Sequence, residues 1–192
     1  MKKGLFRVFA FLSFLFFFFP FSSYAGIDSA KLTKDEKKII RKYFTNKGIK
    51  VESVATCQTE VDPKLLMVIS YDYSSQSMKE RKLKEIIGSY YRESTPQEGF
   101  VRLGTFGTVG GPQAIWCEDI DQDGKIEIVM AVPSVGSGAS WFNQAWEWNG
   151  KKYVLDEKLL KVISDVGNGS YDYEPEQIKQ MIRKAALRKF KN

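Results

Sequence analysis

The sequence predicts an α+β fold in which an antiparallel β-sheet of about five to eight strands is flanked by an N-terminal and a C-terminal helix. Helical periodicity with end signals is clear at residues 32–48 and 174–190. Short runs rich in β-branched and aromatic residues lie between them, separated by Gly, Pro, Asn and Asp. Asn149 and Gly150 join two of these runs, which is a strong hairpin signal.

The first 25 residues have the pattern of a secretory signal peptide. Three basic residues precede an apolar run at residues 8–21, and Ser23 and Ala25 are the small residues expected before a cleavage site. A buried or transmembrane helix is the alternative, but the run is short and poorly flanked for a membrane span. We therefore predict export, with residues 26–192 forming a single globular domain that is secreted or periplasmic.

The composition narrows the classes of function. Without residues 1–25 the chain keeps 167 of its 192 residues, enough for one hydrophobic core. That segment holds three of the 29 basic residues and none of the 23 acidic ones, so the net charge falls from +6 to +3. This balance argues against a nucleic-acid partner. The chain has no histidine, which excludes Ser-His-Asp and Cys-His catalysis and His-ligated zinc.

The chain has two cysteines, Cys57 and Cys117. In an exported protein an even count indicates a disulfide, and only one pairing is available here. Two buried free thiols are the alternative interpretation. A metal site built on two cysteines without histidine is not expected.

The N-terminal helix has recognisable ends. Thr33 and Glu36 have the spacing of a capping box, and Gly48 is a suitable residue after the last turn. The apolar stripe of this helix consists of Ile39, Ile40, Tyr43 and Phe44.

The strand predictions follow along the chain. Residues 50–57 and 64–73 are predicted to pair as a hairpin across the intervening turn residues. Residues 79–92 fit both a helical period and a strand composition, and we favour a strand. Further strands are predicted at residues 99–106, 113–117 and 125–132 and on both sides of Asn149 and Gly150.

The C-terminal helix starts near Pro175 and carries an apolar face and a basic face. A basic amphipathic helix can lie on an anionic membrane. The interpretation we favour is a terminal helix that packs on the sheet and exposes its charges to solvent. The apolar face consists of Ile178, Met181, Ile182 and Ala185.

An acidic loop, "DIDQDGKIE" at residues 119–127, contains the most specific chemical signal in the chain. Carboxylates at alternate positions of a tight loop can converge on one hard cation, which prefers six to eight oxygen ligands. Gly124 permits the sharp turn because glycine adopts positive φ freely. Lys125 would contribute its backbone carbonyl, and Met130 stands where an EF-hand has its bidentate glutamate. The side-chain ligands would be Asp119, Asp121, Asp123 and Glu127.

The loop lies between two strand-like runs and resembles the calcium loop of FG-GAP and VCBS-type repeats, which form blades of integrin-like β-propellers. The resemblance covers residues 116–133 and implies that the loop binds Ca²⁺ through the four carboxylates and the Lys125 carbonyl. A complete propeller is excluded, because it needs at least about four blades and this chain has one loop. We therefore expect a single blade-like sheet. The alternative is a metal-free turn whose carboxylates are solvated or bind backbone amides.

Trp141, Trp146 and Trp148 cluster after the loop, with Trp146 and Trp148 on one strand face. Exposed, this face could stack on sugar rings or on an apolar partner; buried, it is sheet core, which we favour. We predict a non-catalytic, calcium-binding envelope protein with no integral membrane segment after cleavage. The alternatives are a carbohydrate-binding or carbohydrate-active protein with a glycan ligand, and an inhibitor or other protein partner of a secreted enzyme.

Overall fold

The computed structural model describes residues 32–72, 85–106, 113–134, 140–170 and 172–191. The predicted signal peptide and residues 79–84 lie outside these ranges. The helices are α1 (Lys34–Tyr43), α2 (Glu157–Ile163) and α3 (Pro175–Phe190). The strands are β1 (Lys50–Cys57), β2 (Leu65–Asp72), β3 (Glu85–Arg92), β4 (Phe100–Phe106), β5 (Ala114–Glu118), β6 (Glu127–Ser134), β7 (Ser140–Trp148) and β8 (Tyr153–Leu155).

The predicted α+β class is confirmed, and the described part of the chain contains eight strands. They form two antiparallel sheets of four strands, β1-β2-β3-β4 and β5-β6-β7-β8, and the fold is neither a closed barrel nor a propeller. The sequence led us to expect one sheet. The difference arises because β4 does not pair with β5, so consecutive pairing stops and begins again in the second sheet.

The two sheets pack face to face, and period-two alternation explains how. Met67 and Ile69 of β2 point into the core between the sheets, where they join Ile128 and Met130 of β6. The residues between them point to the opposite faces of their sheets. Strands β2 and β6 are therefore apolar along almost their whole length, as is expected of strands covered on both sides.

Helix α1 covers the outer face of the first sheet. Its Ile40 and Phe44 pack against Leu66 and Val68 of β2. The predicted capping box is present: the Thr33 backbone amide donates to Glu36 Oε2 over 2.5 Å, and the Glu36 amide donates to Thr33 Oγ1 over 3.3 Å. The cap fixes where the helix starts, and its apolar stripe fixes which face is buried.

Helices α2 and α3 cover the outer face of the second sheet. Ile163 of α2 and Ile182 of α3 are fully buried against Val129 and Ala131 of β6. We did not predict α2 from the sequence. Its signal is local: Asp156 caps the helix by accepting hydrogen bonds from the Lys158 and Leu159 amides, at 2.8 and 3.0 Å. The four layers are thus α1, the first sheet, the second sheet, and the pair α2 and α3.

Two more sequence predictions are confirmed. The described part of the ambiguous segment, Glu85–Arg92, is strand β3. Asn149 and Gly150 lie at the turn between β7 and β8, where the Asn149 amide donates to the Lys152 carbonyl over 3.1 Å.

Within the described ranges, no helix has the length and apolar character needed to cross a membrane.

Candidate metal site

Strand pairing brings the two ends of the acidic loop together. Strands β5 and β6 are antiparallel neighbours, and Glu118 lies opposite Glu127 in their register. Residues 119–126 therefore close a short connection at one end of this strand pair. Asp119, at the start of the connection, is placed beside Glu127, at its end.

Three of the predicted ligands converge. One carboxylate oxygen from each of Asp119, Asp121 and Glu127 lies within 4.8 Å of the other two. This spacing matches oxygen ligands that each lie about 2.3–2.6 Å from a shared calcium ion. The acidic cluster formed by these three residues can therefore hold a metal ion.

Hydrogen bonds from the backbone wind the loop tightly. The amide of Asp123 donates to Asp121 Oδ1 over 3.2 Å, and the amide of Gly124 donates to Asp119 Oδ2 over 3.1 Å. Gln122 and Gly124 have positive φ angles of 64° and 92°. These left-handed residues turn the chain back on itself, so that the carboxylates face inward.

Glu127 is the buried member of the acidic cluster. It is 1% exposed, and its Oε2 accepts a hydrogen bond from the Ile120 amide over 2.9 Å. Burial raises the pKa of Glu127 to about 8; the Ile120 hydrogen bond opposes this rise, and the charges of Asp121, Asp123 and Asp119 add to it. A cation at this point would remove the cost of ionising the carboxyl group.

The atoms of Asp119 and Asp121 also fit a cation. Asp119 Oδ1 is buried and has no hydrogen-bond partner among the described residues. Such an oxygen is costly unless it binds something positive. Burial raises the pKa of Asp121, and the nearby charges of Asp123, Asp156 and Asp119 raise it further. The donor set is all oxygen, which suits a hard ion such as Ca²⁺.

Asp123 and Lys125 are arranged differently from the other predicted ligands. Asp123 is exposed and is not part of the acidic cluster. Its Oδ1 accepts a hydrogen bond from the Lys125 amide over 2.9 Å, and its Oδ2 lies 3.5 Å from Lys125 Nζ. Lys125 Nζ also forms an ion pair with Glu147 of β7. The lysine side chain thus links the loop to the neighbouring strand.

The predicted disulfide is present beside the loop. It joins Cys57 at the end of β1 to Cys117 in β5, with the two Cα atoms 6.5 Å apart, and so links the first sheet to the second. Glu60, three residues after Cys57, accepts a hydrogen bond from the Ile126 amide over 3.3 Å. The chain around Cys57 is therefore attached to the strand that enters the acidic loop and to the loop itself.

Sequence reasoning missed several acidic residues around the loop. Glu60, Glu147 and Asp156 come close to it from a distant turn, a neighbouring strand and the cap of α2. An open depression of about 430 Å³ adjoins the loop and is lined by Asp121, Asp123, Glu147 and Asp156, among others. No local sequence pattern identifies these residues, because they contact the loop only through tertiary structure.

The three tryptophans after the acidic loop pack on two different cores. Trp146 is 3% exposed in the core between the sheets, and Trp141 is 2% exposed in the core beneath α2 and α3. Trp148 is half-buried, with the Arg92 guanidinium 4.3 Å from its ring centroid. Trp146 and Trp148, which we predicted on one strand face, therefore pack on the same core between the sheets, so that this face is sheet core and not an open surface for a sugar ring.

Comparison of the chain with protein-family models, with curated proteins and with solved structures found no match in any of the three. The resemblance to FG-GAP and VCBS-type repeats consequently depends on the loop alone. It remains a prediction about residues 116–133.

Proposed function

We propose that this chain is an exported, non-catalytic module of the bacterial envelope that Ca²⁺ stabilises at the acidic loop. The observation that carries the proposal is the convergence of oxygens from Asp119, Asp121 and Glu127 within 4.8 Å. Asp123 and the Lys125 carbonyl would complete the ligand set. The disulfide between Cys57 and Cys117 is consistent with an oxidising compartment outside the cytosol.

The role proposed for the ion is structural. It would neutralise carboxylates that repel one another and fix the connection between β5 and β6, beside the disulfide and the Lys125–Glu147 ion pair. Extracellular modules bind calcium with dissociation constants of about 10⁻⁴–10⁻³ M, which suits a stabilising ion more than a sensor. Glu60 and Glu147 already contact the loop from other parts of the same fold, so the ion would strengthen an existing arrangement.

Thermal unfolding with and without calcium tests the proposal. For binding in this range, about 10 mM calcium adds about 2 kcal/mol to the unfolding free energy, or about 5 °C to the Tm. Asp121→Ala removes one ligand and should abolish the shift. Asp172→Ala is the matched control, because Asp172 is an exposed aspartate far along the chain from the loop. A wild-type Tm that does not respond to calcium would refute the proposal.

A further inference from the structure

The exposed face of α1 consists almost entirely of basic side chains. Five of the ten residues in this helix are exposed lysines or arginines: Lys34, Lys37, Lys38, Arg41 and Lys42. At about 100° per residue they fall within one arc of about 140° around the helix axis. Glu36, Ile40 and Phe44 face the other way, towards the first sheet. Asp35 is the only exposed carboxylate of the helix, and it lies at the edge of the arc.

Carboxylates of the described fold do not neutralise this basic face. Lys34, Lys37, Lys38 and Arg41 form no ion pair with another described residue, and Lys42 Nζ lies 5.1 Å from the Tyr43 ring centroid. Glu36 is directed inward, where its carboxylate pairs with Lys64 over 3.0 Å. The face therefore presents uncompensated positive charge to solvent.

This arrangement disfavours the helix itself. Residues three and four apart on a helix are neighbours, so pairs such as Lys34–Lys38 and Lys37–Arg41 place like charges side by side. The helix dipole favours Arg41 and Lys42 in the last turn, but it disfavours Lys34 in the first turn. Folding thus gains little from the basic face as a whole, which is suited instead to a negatively charged surface.

We propose that the exposed face of α1 docks on the anionic surface of a phospholipid membrane. Each basic side chain near an anionic membrane strengthens binding by about fivefold. Nucleic acid would also attract the face, but the disulfide fits the export proposed above, and an exported chain of the envelope meets anionic membrane surfaces more than nucleic acid. Helix α1 covers the first sheet, whereas the acidic loop belongs to the second, so docking does not depend on calcium.

Vesicle co-sedimentation tests the proposal with the chain purified after export, in a chelator so that calcium plays no part. Phosphatidylcholine vesicles containing phosphatidylglycerol should bind the chain, and phosphatidylcholine vesicles alone should not. Because screening shortens the reach of surface charges, about 0.5 M salt should release the chain. The triple variant Lys37→Glu, Lys38→Glu and Arg41→Glu should weaken binding at least about 100-fold.

The control variant is Lys161→Glu, Lys184→Glu and Lys189→Glu on α2 and α3, which changes net charge equally at exposed positions of the opposite layer. It should keep binding within about threefold. The glutamine version of the α1 triple relieves repulsion within the helix, so it stays folded and should still bind more weakly than wild type. Equal loss in the two glutamate triples, equal binding to uncharged vesicles, or binding to duplex DNA without binding to the anionic vesicles would overturn the proposal.

Discussion

Glu127 Oε2 accepts a hydrogen bond from the Ile120 amide over 2.9 Å, and this contact crosses the acidic loop from its last residue to its second. It holds a carboxyl group that is 1% exposed next to Asp119 and Asp121. One hydrogen bond does not offset the burial of a charge, so the pKa of Glu127 is raised to about 8. The binding of the proposed cation at the acidic cluster would therefore be coupled to the deprotonation of Glu127.

The first prediction concerns pH. In the metal-free fold Glu127 keeps its proton up to about pH 8, whereas the unfolded chain loses it near pH 4.5. The folded state therefore holds more protons across this window, and metal-free stability should fall as pH rises from 4.5 to 8. Calcium requires the carboxylate, so the Tm shift produced by calcium should be larger at pH 8 than at pH 6.

Melting curves of metal-depleted protein at half-unit pH steps, with and without calcium, would measure both effects. The chain has no histidine, so few other groups change charge in this window. Glu127→Gln keeps an acceptor for the Ile120 amide but cannot titrate, and it should flatten the pH profile and reduce the calcium shift. A wild-type profile identical to that of Glu127→Gln would show that Glu127 does not titrate as described.

A second prediction concerns the disulfide. Cys57 and Cys117 are 60 residues apart, and closing a loop of this length stabilises a fold by about 4 kcal/mol in the chain-entropy model. Reduction, or replacement of both cysteines by serine, should lower the unfolding free energy by about this amount, as measured by urea titration. It should also weaken calcium binding, because the Cys57 segment carries Glu60, which binds the Ile126 amide.

The variant Glu60→Gln, with the disulfide intact, separates the effect of the disulfide on stability from the effect of Glu60 on calcium binding. It should leave the urea midpoint nearly unchanged and reduce calcium affinity only slightly, since an amide oxygen still accepts the Ile126 hydrogen bond. If the reduced protein unfolds at the same urea concentration as the oxidised protein, the disulfide does not contribute to stability as expected.

Local patterns in the sequence account for the convergence at the acidic loop. The spacing of Asp119, Asp121 and Glu127 and the position of Gly124 are enough to predict a turn that gathers carboxylates. The position of Asp123 could not be predicted in the same way. Its partner Lys125 is held by Glu147, which lies 22 residues further along the chain, and only the pairing of β6 with β7 brings the two together.

In the fold, too, local sequence patterns predict some features, and tertiary pairing determines the others. Alternating apolar residues predict strands such as β2 and β6, because side chains on a strand alternate between its faces. They do not show which strands pair or what covers each face. Trp141 and Trp146 are both buried, yet they lie in separate cores, because one face of β7 meets the first sheet and the other meets α2 and α3.

A third prediction concerns Asn143, a buried polar residue of β7. It is 2% exposed, and its Nδ2 donates to the carbonyls of Ile163 and Val166 at 2.9 and 2.7 Å, at the C-terminal end of α2 and just after it. Asn143→Ala leaves both carbonyls without this donor in a buried site, but it also removes Asn143 Oδ1, which is buried without a partner, so the net cost should be about 1.5–2 kcal/mol. Asn149→Ala is the control, because Asn149 also makes two hydrogen bonds but is exposed, so water replaces them.

Urea unfolding of the two variants would compare them directly, and Asn149→Ala should cost about 1 kcal/mol or less. Equal losses would mean that burial of the Asn143 contacts does not matter, and that the end of α2 is held by its apolar side chains alone.

The fourth prediction concerns Lys125, whose side chain would compete for Asp123 with the cation proposed at the acidic cluster. Its Nζ lies 3.5 Å from Asp123 Oδ2 and pairs with Glu147. Lys125→Met removes a positive charge beside the acidic cluster and frees the Asp123 carboxylate to join the other ligands. Removing one positive charge this close to the cation should make the free energy of calcium binding more favourable by about 1 kcal/mol, so calcium affinity should rise about fivefold. Isothermal titration calorimetry would measure the change.

Two matched variants serve as controls for the Lys125→Met experiment. Lys125→Arg keeps the charge and should bind calcium as the wild type does, whereas Lys161→Met removes an exposed lysine of α2 and should change affinity little. The main-chain carbonyl predicted as a ligand at position 125 is the same in all of them. A fall in calcium affinity in Lys125→Met would mean that the lysine orders Asp123 for the ion, so that the link to Glu147 supports the acidic loop and does not compete with it.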